Sequence, residues 1–164
     1  MASIRSRIGE NMADRYLFKA KRLDWREFPE KEWWIIGYYV LGFNVYEQPV
    51  HLIFEPTSMF FSHGETDGWT EIDPSTICQC TGLKDKNNRL IWENDIVKDE
   101  NGNLYKAFWQ NNYYQFSWIC IKSAKLPIGA KWSLWNIKSF EIEVVGNIFD
   151  NPELLESEGQ YDRK

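Results

Sequence analysis

The sequence has few of the residues that would mark a disulfide scaffold, a membrane helix or a histidine-based catalyst. Its three cysteines are an odd number, so a disulfide framework is not expected and a reducing, cytoplasmic setting is the default. No apolar run approaches the roughly 20 residues a membrane span needs, and the opening residues lack a signal-peptide pattern. Two histidines leave little room for a His-based triad. No Gly-x-Ser-x-Gly elbow, phosphate loop or His-Glu-x-x-His helix occurs either. Positive charge is also short, with 19 Lys and Arg against 24 Asp and Glu, for a net charge of −5. That balance opposes non-specific wrapping of nucleic acid.

Aromatic residues, by contrast, are abundant: 9 Trp, 8 Tyr and 10 Phe in 164 residues. Such a load excludes a disordered chain, and the length suits one domain or two small lobes sharing a core. Residues 1–11 carry Arg5 and Arg7 without an apolar pattern and are expected to be a disordered extension. Residues 12–156 are expected to form the β domain, and 157–164 a tail.

Strand signals dominate. Trp33 to Val40 is apolar at nearly every position and reads as a strand buried on both faces, with Gly37 marking a bulge or a close backbone approach. The charged stretch Asp24–Glu32 reads as a loop, as does Ser62–Gly68. Val50, Leu52 and Phe54 alternate with His51, Ile53 and Glu55. Thr76–Thr81 is a short strand, and the pair Asn87-Asn88 suits a tight hairpin because Asn tolerates positive φ. Glu93-Asn94-Asp95 and Asn101-Gly102 mark two more turns. Tyr105–Trp109 and Tyr113–Ile121 are further strands, Ser123–Lys138 is irregular, and Ile142–Phe149 closes the sheet. Asn151 and Pro152 start a short terminal helix. Trp34, Tyr38 and Phe149 are expected in the core.

Three blocks resemble the YopX family of phage and prophage proteins. They are Arg15–Ala20 with Trp34-Ile35-Ile36-Gly37-Tyr38, the central run QCTGLKDKNNRLIWENDIV (Gln79–Val97), and VVGNIFDNPELL (Val144–Leu155). Asn88 and Asn94 stand where the family often has Gly, and Cys78 and Cys80 where it usually has Gly and an aromatic residue. The resemblance implies a phage-related, mainly β fold: an SH3-like roll or barrel with additional strands and a short C-terminal helix. It implies no established activity.

Three kinds of chemistry are weighed on the residues themselves. Cys78 and Cys80, two apart on a strand, would share a face, and His51, His63 and Cys120 could complete a metal site. No second Cys pair at zinc spacing occurs, so we expect core cysteines, no metal and no cofactor. Asp85 or Asp95, beside Glu93 and Lys84, could serve acid–base work, but turn-holding through backbone N–H groups is the reading adopted, with no catalytic residue assigned. The family-motif surface is then Gln79, Thr81, Gly82, Lys84, Asp85 and Asp95. The aromatic surplus at Trp109, Tyr113, Tyr114, Trp118, Trp132 and Trp135 is the candidate binding face. With Lys122, Lys125, Lys131 and Lys138 interleaved, that face could stack single-stranded nucleic acid. The acidic balance favours a protein partner instead, including a second copy of the chain. The expectation is a non-enzymatic interaction module.

Overall fold

A computed structural model describes residues 12–55, 68–138 and 141–155; the side chains of 12, 13 and 135 lie outside the description. The expected extension at 1–11, the tail at 157–164, the polar stretch at 62–67 and His63 lie outside the described residues. The chain divides into two units, Met1–Cys80 and Thr81–Lys164. It is mainly β, with two antiparallel sheets. Among the described residues no helix is long and apolar enough to cross a membrane.

In the first unit, β1 (Phe18–Lys21) lies between β2 (Trp34–Phe43) and the start of β5 (Cys78–Lys84). Outside β2 come β3 (Pro49–Phe54) and then β4 (Trp69–Glu71). Residues opposite one another in antiparallel strands share a face, and side chains alternate along each strand. The register sets Ala20 against Ile35, and these two with Ile53 and Ile72 form the core of this unit, packed by Phe18 and Ile77. The other face carries Ile36, Tyr38 and Val40, all exposed. β2 is therefore buried on one face, not two, and Tyr38 is not a core residue; Trp34 is half-buried. Gly37 is a close approach: a Cβ there would collide with the Phe54 carbonyl. The expected loop at Asp24–Glu32 holds two single 3-10 turns, Trp25–Glu27 and Glu30–Glu32.

In the second unit the later half of β5 pairs with β6 (Leu90–Trp92). The other strands are β7 (Asp95–Lys98), β8 (Leu104–Gln110), β9 (Gln115–Lys122), β10 (Lys131–Ser133) and β11 (Glu143–Asn147). They form a five-stranded sheet in the order β10-β9-β8-β7-β11. Its core holds Ile91, Val97, Tyr105, Ala107, Trp118, Cys120, Ile142 and Val144.

Three expectations change here. The stretch Ser123–Lys138 is not wholly irregular, because Trp132 packs on the core and draws Lys131–Ser133 onto β9. The last strand does not close the sheet: it pairs with β7 at one edge while β10 forms the other, so among the described residues the expected barrel is not closed. The terminal helix is a single 3-10 turn, Pro152–Leu155. The Asn151 carbonyl accepts the Leu154 N–H, while its side chain turns back to accept from Asn147. Phe149 is half-buried.

Candidate functional site

The central motif is engaged by the fold it builds. Thr81 is buried; its hydroxyl donates to the Ile91 carbonyl (2.7 Å) and accepts from the Leu83 N–H. Gly82 is exposed with φ +78°, a conformation that suits glycine. Gln79 Nε2 donates to the Arg15 carbonyl at 3.0 Å, and Lys84 is half-buried. These residues do not form one solvent-facing surface.

Asp85 is nearly buried and bridges two elements. Its Oδ1 accepts the N–H groups of Asn87 (2.8 Å) and Arg89 (2.9 Å), and its Oδ2 accepts the Val144 N–H on β11 at 3.0 Å. Burial pushes this carboxyl up. The N–H groups of Val144, Arg89 and Asn87, with the Arg89 charge, outweigh that and hold it below the ordinary value. Asp95, fully buried, accepts the Trp92 N–H at 2.9 Å. Glu93 accepts the Trp109 N–H at 3.2 Å, and Asn94 sits at φ +66°. Both carboxylates proposed for acid–base work thus hold turns.

Asp99, which the sequence reading passed over, does the same work. Its Oδ1 accepts the Asn101 and Asn103 N–H groups, both at 2.9 Å. Its Oδ2 accepts from Asn103 Nδ2 (2.8 Å) and from the Tyr105 hydroxyl (2.9 Å). Burial, offset by Asn103, Tyr105 and Asn101, leaves its carboxyl below the ordinary value. Burial and the Asp99 carboxylate push Tyr105 up to about 12.

The aromatic face splits. Trp109, Tyr113 and Tyr114 are exposed at the end of the β8–β9 hairpin, where Trp109 meets Phe116 edge-on at 5.0 Å. Trp118 is fully buried: alternation puts it beside Ala107 on the core side, and its indole N–H donates to the Leu134 carbonyl. Trp132 stands edge-on to Tyr105 at 5.8 Å, against the same core. Trp118 therefore cannot belong to a contact face, and Trp132 serves packing. Trp135 lies outside the described side chains. Among the lysines, Lys131 lies over Phe108 and Lys138 pairs with Glu141 at 3.1 Å. Cys78, Cys80 and Cys120 are all buried, and Cys78 Sγ lies 3.3 Å from the Thr76 carbonyl. His51 Nδ1 lies 2.8 Å from the Tyr39 hydroxyl. Among the described residues no group of three or more His, Cys, Asp or Glu side chains could hold a metal ion.

Two features of the first unit were missed by sequence reasoning. Lys21 is buried with its amine 4.1 Å from the Trp25 ring and 4.6 Å from Trp33, a cation–π cage within the unit. The β2–β3 hairpin, in turn, carries exposed Leu41, Phe43, Val45 and Tyr46. Its turn is closed by Asn44 Oδ1, which accepts the N–H groups of Tyr46 (2.9 Å) and Gln48 (3.0 Å). The signal available was the absence of any Lys, Arg or Asp from Tyr38 to Phe54, with Glu47 alone carrying charge among aromatic and branched residues.

This geometry defines a mainly β protein of two antiparallel sheets whose central motif residues are occupied in turns. The chain belongs to the YopX family: the family model described as YopX protein matches residues 55–156. That span holds the second and third blocks noted in the sequence, and the Arg15–Tyr38 block lies outside it. The family is one of unknown function. No curated protein matches the chain.

Proposed function

We propose that this protein is a non-enzymatic protein-interaction module and that its contact surface lies on the first unit's β2–β3 hairpin, not on the expected Trp109–Trp135 face. The observation that carries this reading is the exposed set Tyr38, Leu41, Phe43, Val45, Tyr46 and Trp69, with no Lys or Arg from Tyr38 to Phe54. Exposed aromatic and branched residues without cations suit a protein partner and offer phosphate nothing to pair with. The engagement of Asp85 and Asp95 by backbone donors supports a non-enzymatic role. For the second unit, the finer reading is an open variant of an SH3-like roll, supported by its antiparallel order and the Asn101-Gly102 hairpin.

A photo-cross-linking amino acid placed at Tyr46, and separately at Tyr114, tests the surface in cells expressing the full chain. Protein adducts at position 46 are the expected result. Adducts only to nucleic acid, or protein adducts at 114 with none at 46, would overturn it.

A further inference from the structure

The β2 strand outruns its neighbour. β1 pairs with it only from Trp34 to Gly37, whereas β3 pairs with it from Tyr38 to Phe43. Among the described residues no strand pairs with Tyr38–Phe43 on the β1 side. Beyond Val40, where β4 no longer accompanies β3, the hairpin projects as a two-stranded ribbon, and β2 keeps a row of backbone N–H and C=O groups along its β1-side edge. Such an edge is a template for strand addition, and a lone two-stranded ribbon is marginally stable in water.

We infer that this edge pairs antiparallel with the same edge of a second copy of the chain, forming a two-fold dimer; the inference rests on the interaction reading above. An isologous contact sets each residue of the strand against the same segment in the other copy. It therefore requires a strand that does not repel itself. Tyr38–Phe43 carries no charge, and only Glu47 at the turn is charged in the whole hairpin. Apolar side chains also border this edge on both faces, Tyr38 and Val40 on one and Leu41 and Phe43 on the other, all exposed, so an added strand would cover part of each. With the two-fold axis beside Leu41, Leu41 would face its own counterpart and Phe43 would face Tyr39 of the other copy.

Sedimentation equilibrium of the full chain at tens of micromolar should give twice the chain mass of 19.6 kDa. The variants Leu41→Glu and Leu41→Lys should each sediment at the single-chain mass, and an equimolar mixture should return to twice that mass, because opposite charges then face each other. That recovery also shows both variants to be folded. Should the Leu41 variants unfold, Phe43→Glu, which sets a charge against Tyr39 of the other copy, takes their place and should likewise sediment at the single-chain mass. A monomeric wild type, or a dimer unmoved by either charge, overturns the pairing. A monomer that still yields adducts to another protein at position 46 removes only the self-pairing. A monomer without adducts removes the interaction reading as well.

Discussion

The hairpin of the first unit and two hairpins of the second are turned by one device, and what differs is how each is anchored. Asn44, Asp85 and Asp99 each accept the N–H groups two and four residues ahead. In each, the backbone N–H of that residue bonds the carbonyl four residues on. In each, too, the residue three ahead has positive φ: Glu47 (60°), Asn88 (64°) and Gly102 (80°). This is a tight turn followed by a left-handed residue, a standard three-residue hairpin connection. Beyond it the two units part. Asp85 uses its second oxygen to hold β11, and Asp99 uses its own to hold Asn103 and Tyr105. Asn44 has a neutral amide that reaches only Gln48, at 3.2 Å. The charged turns tie the second unit together, whereas the neutral one closes a ribbon and leaves its surface exposed.

Removing the anchor should have the largest effect. Asp85→Ala strips the acceptor from three backbone N–H groups, the buried one of Val144 included. At roughly 1.5–3 kcal/mol for each bond to a charged group, less the share water restores, it should cost about 3 kcal/mol by chemical denaturation. The equivalent change in the first unit, Asn44→Ala, should cost about 1 kcal/mol. Equal losses would erase the contrast.

Gly37→Ala comes next. A methyl group there meets the Phe54 backbone, which cannot swing aside as a side chain could, so about 2 kcal/mol should be lost. A neutral result would show that the two strands separate easily at that point.

Acid should separate the units. Asp85 and Asp99 have folded values below the ordinary one. The stability they contribute is complete above the unfolded carboxylate range of about 4 and falls as pH drops through that range toward their folded values. Glu55 in the first unit is shifted the other way, raised by burial against the pull of Arg22. Its folded form takes up a proton before the unfolded chain does, so that contribution grows as pH falls toward 4. Hydrogen exchange at pH 6 and pH 3 should therefore show protection lost in β7–β9 before β1–β3, and the reverse order would contradict these assignments. The smallest effect is expected of Glu47→Gly, which relieves a left-handed non-glycine residue and should add about 0.5 kcal/mol after the greater freedom of unfolded glycine is counted.

Much of the second unit was legible in the sequence because its turns carry local chemistry. Asn87-Asn88, Asn94 and Asn101-Gly102 are residues that tolerate positive φ, and each sits where the chain reverses. Gly37 was legible for the same reason, since a glycine inside an apolar strand signals a close approach. The β2–β3 turn was missed because its left-handed position holds Glu47, which gives no such signal. Burial was harder to read. An all-apolar stretch such as Trp34–Phe43 cannot say which of its two faces is covered, and only pairing with β1 and β3 decides it. Trp118 and Trp109 look alike in sequence; one lies opposite Ala107 in mid-sheet and the other at the hairpin end. The role of Asp85 was readable within its turn, but its bond to Val144 spans 59 residues and leaves no local trace.

The most direct test of the account is backbone hydrogen exchange on the full chain over a hundredfold range of concentration. Exchange at Tyr38–Phe43 should slow as concentration rises, while the amides of Asn87, Arg89 and Val144 stay protected throughout. Contradiction would come from exchange at Tyr38–Phe43 that does not depend on concentration, or from new protection at Tyr113 and Tyr114 instead.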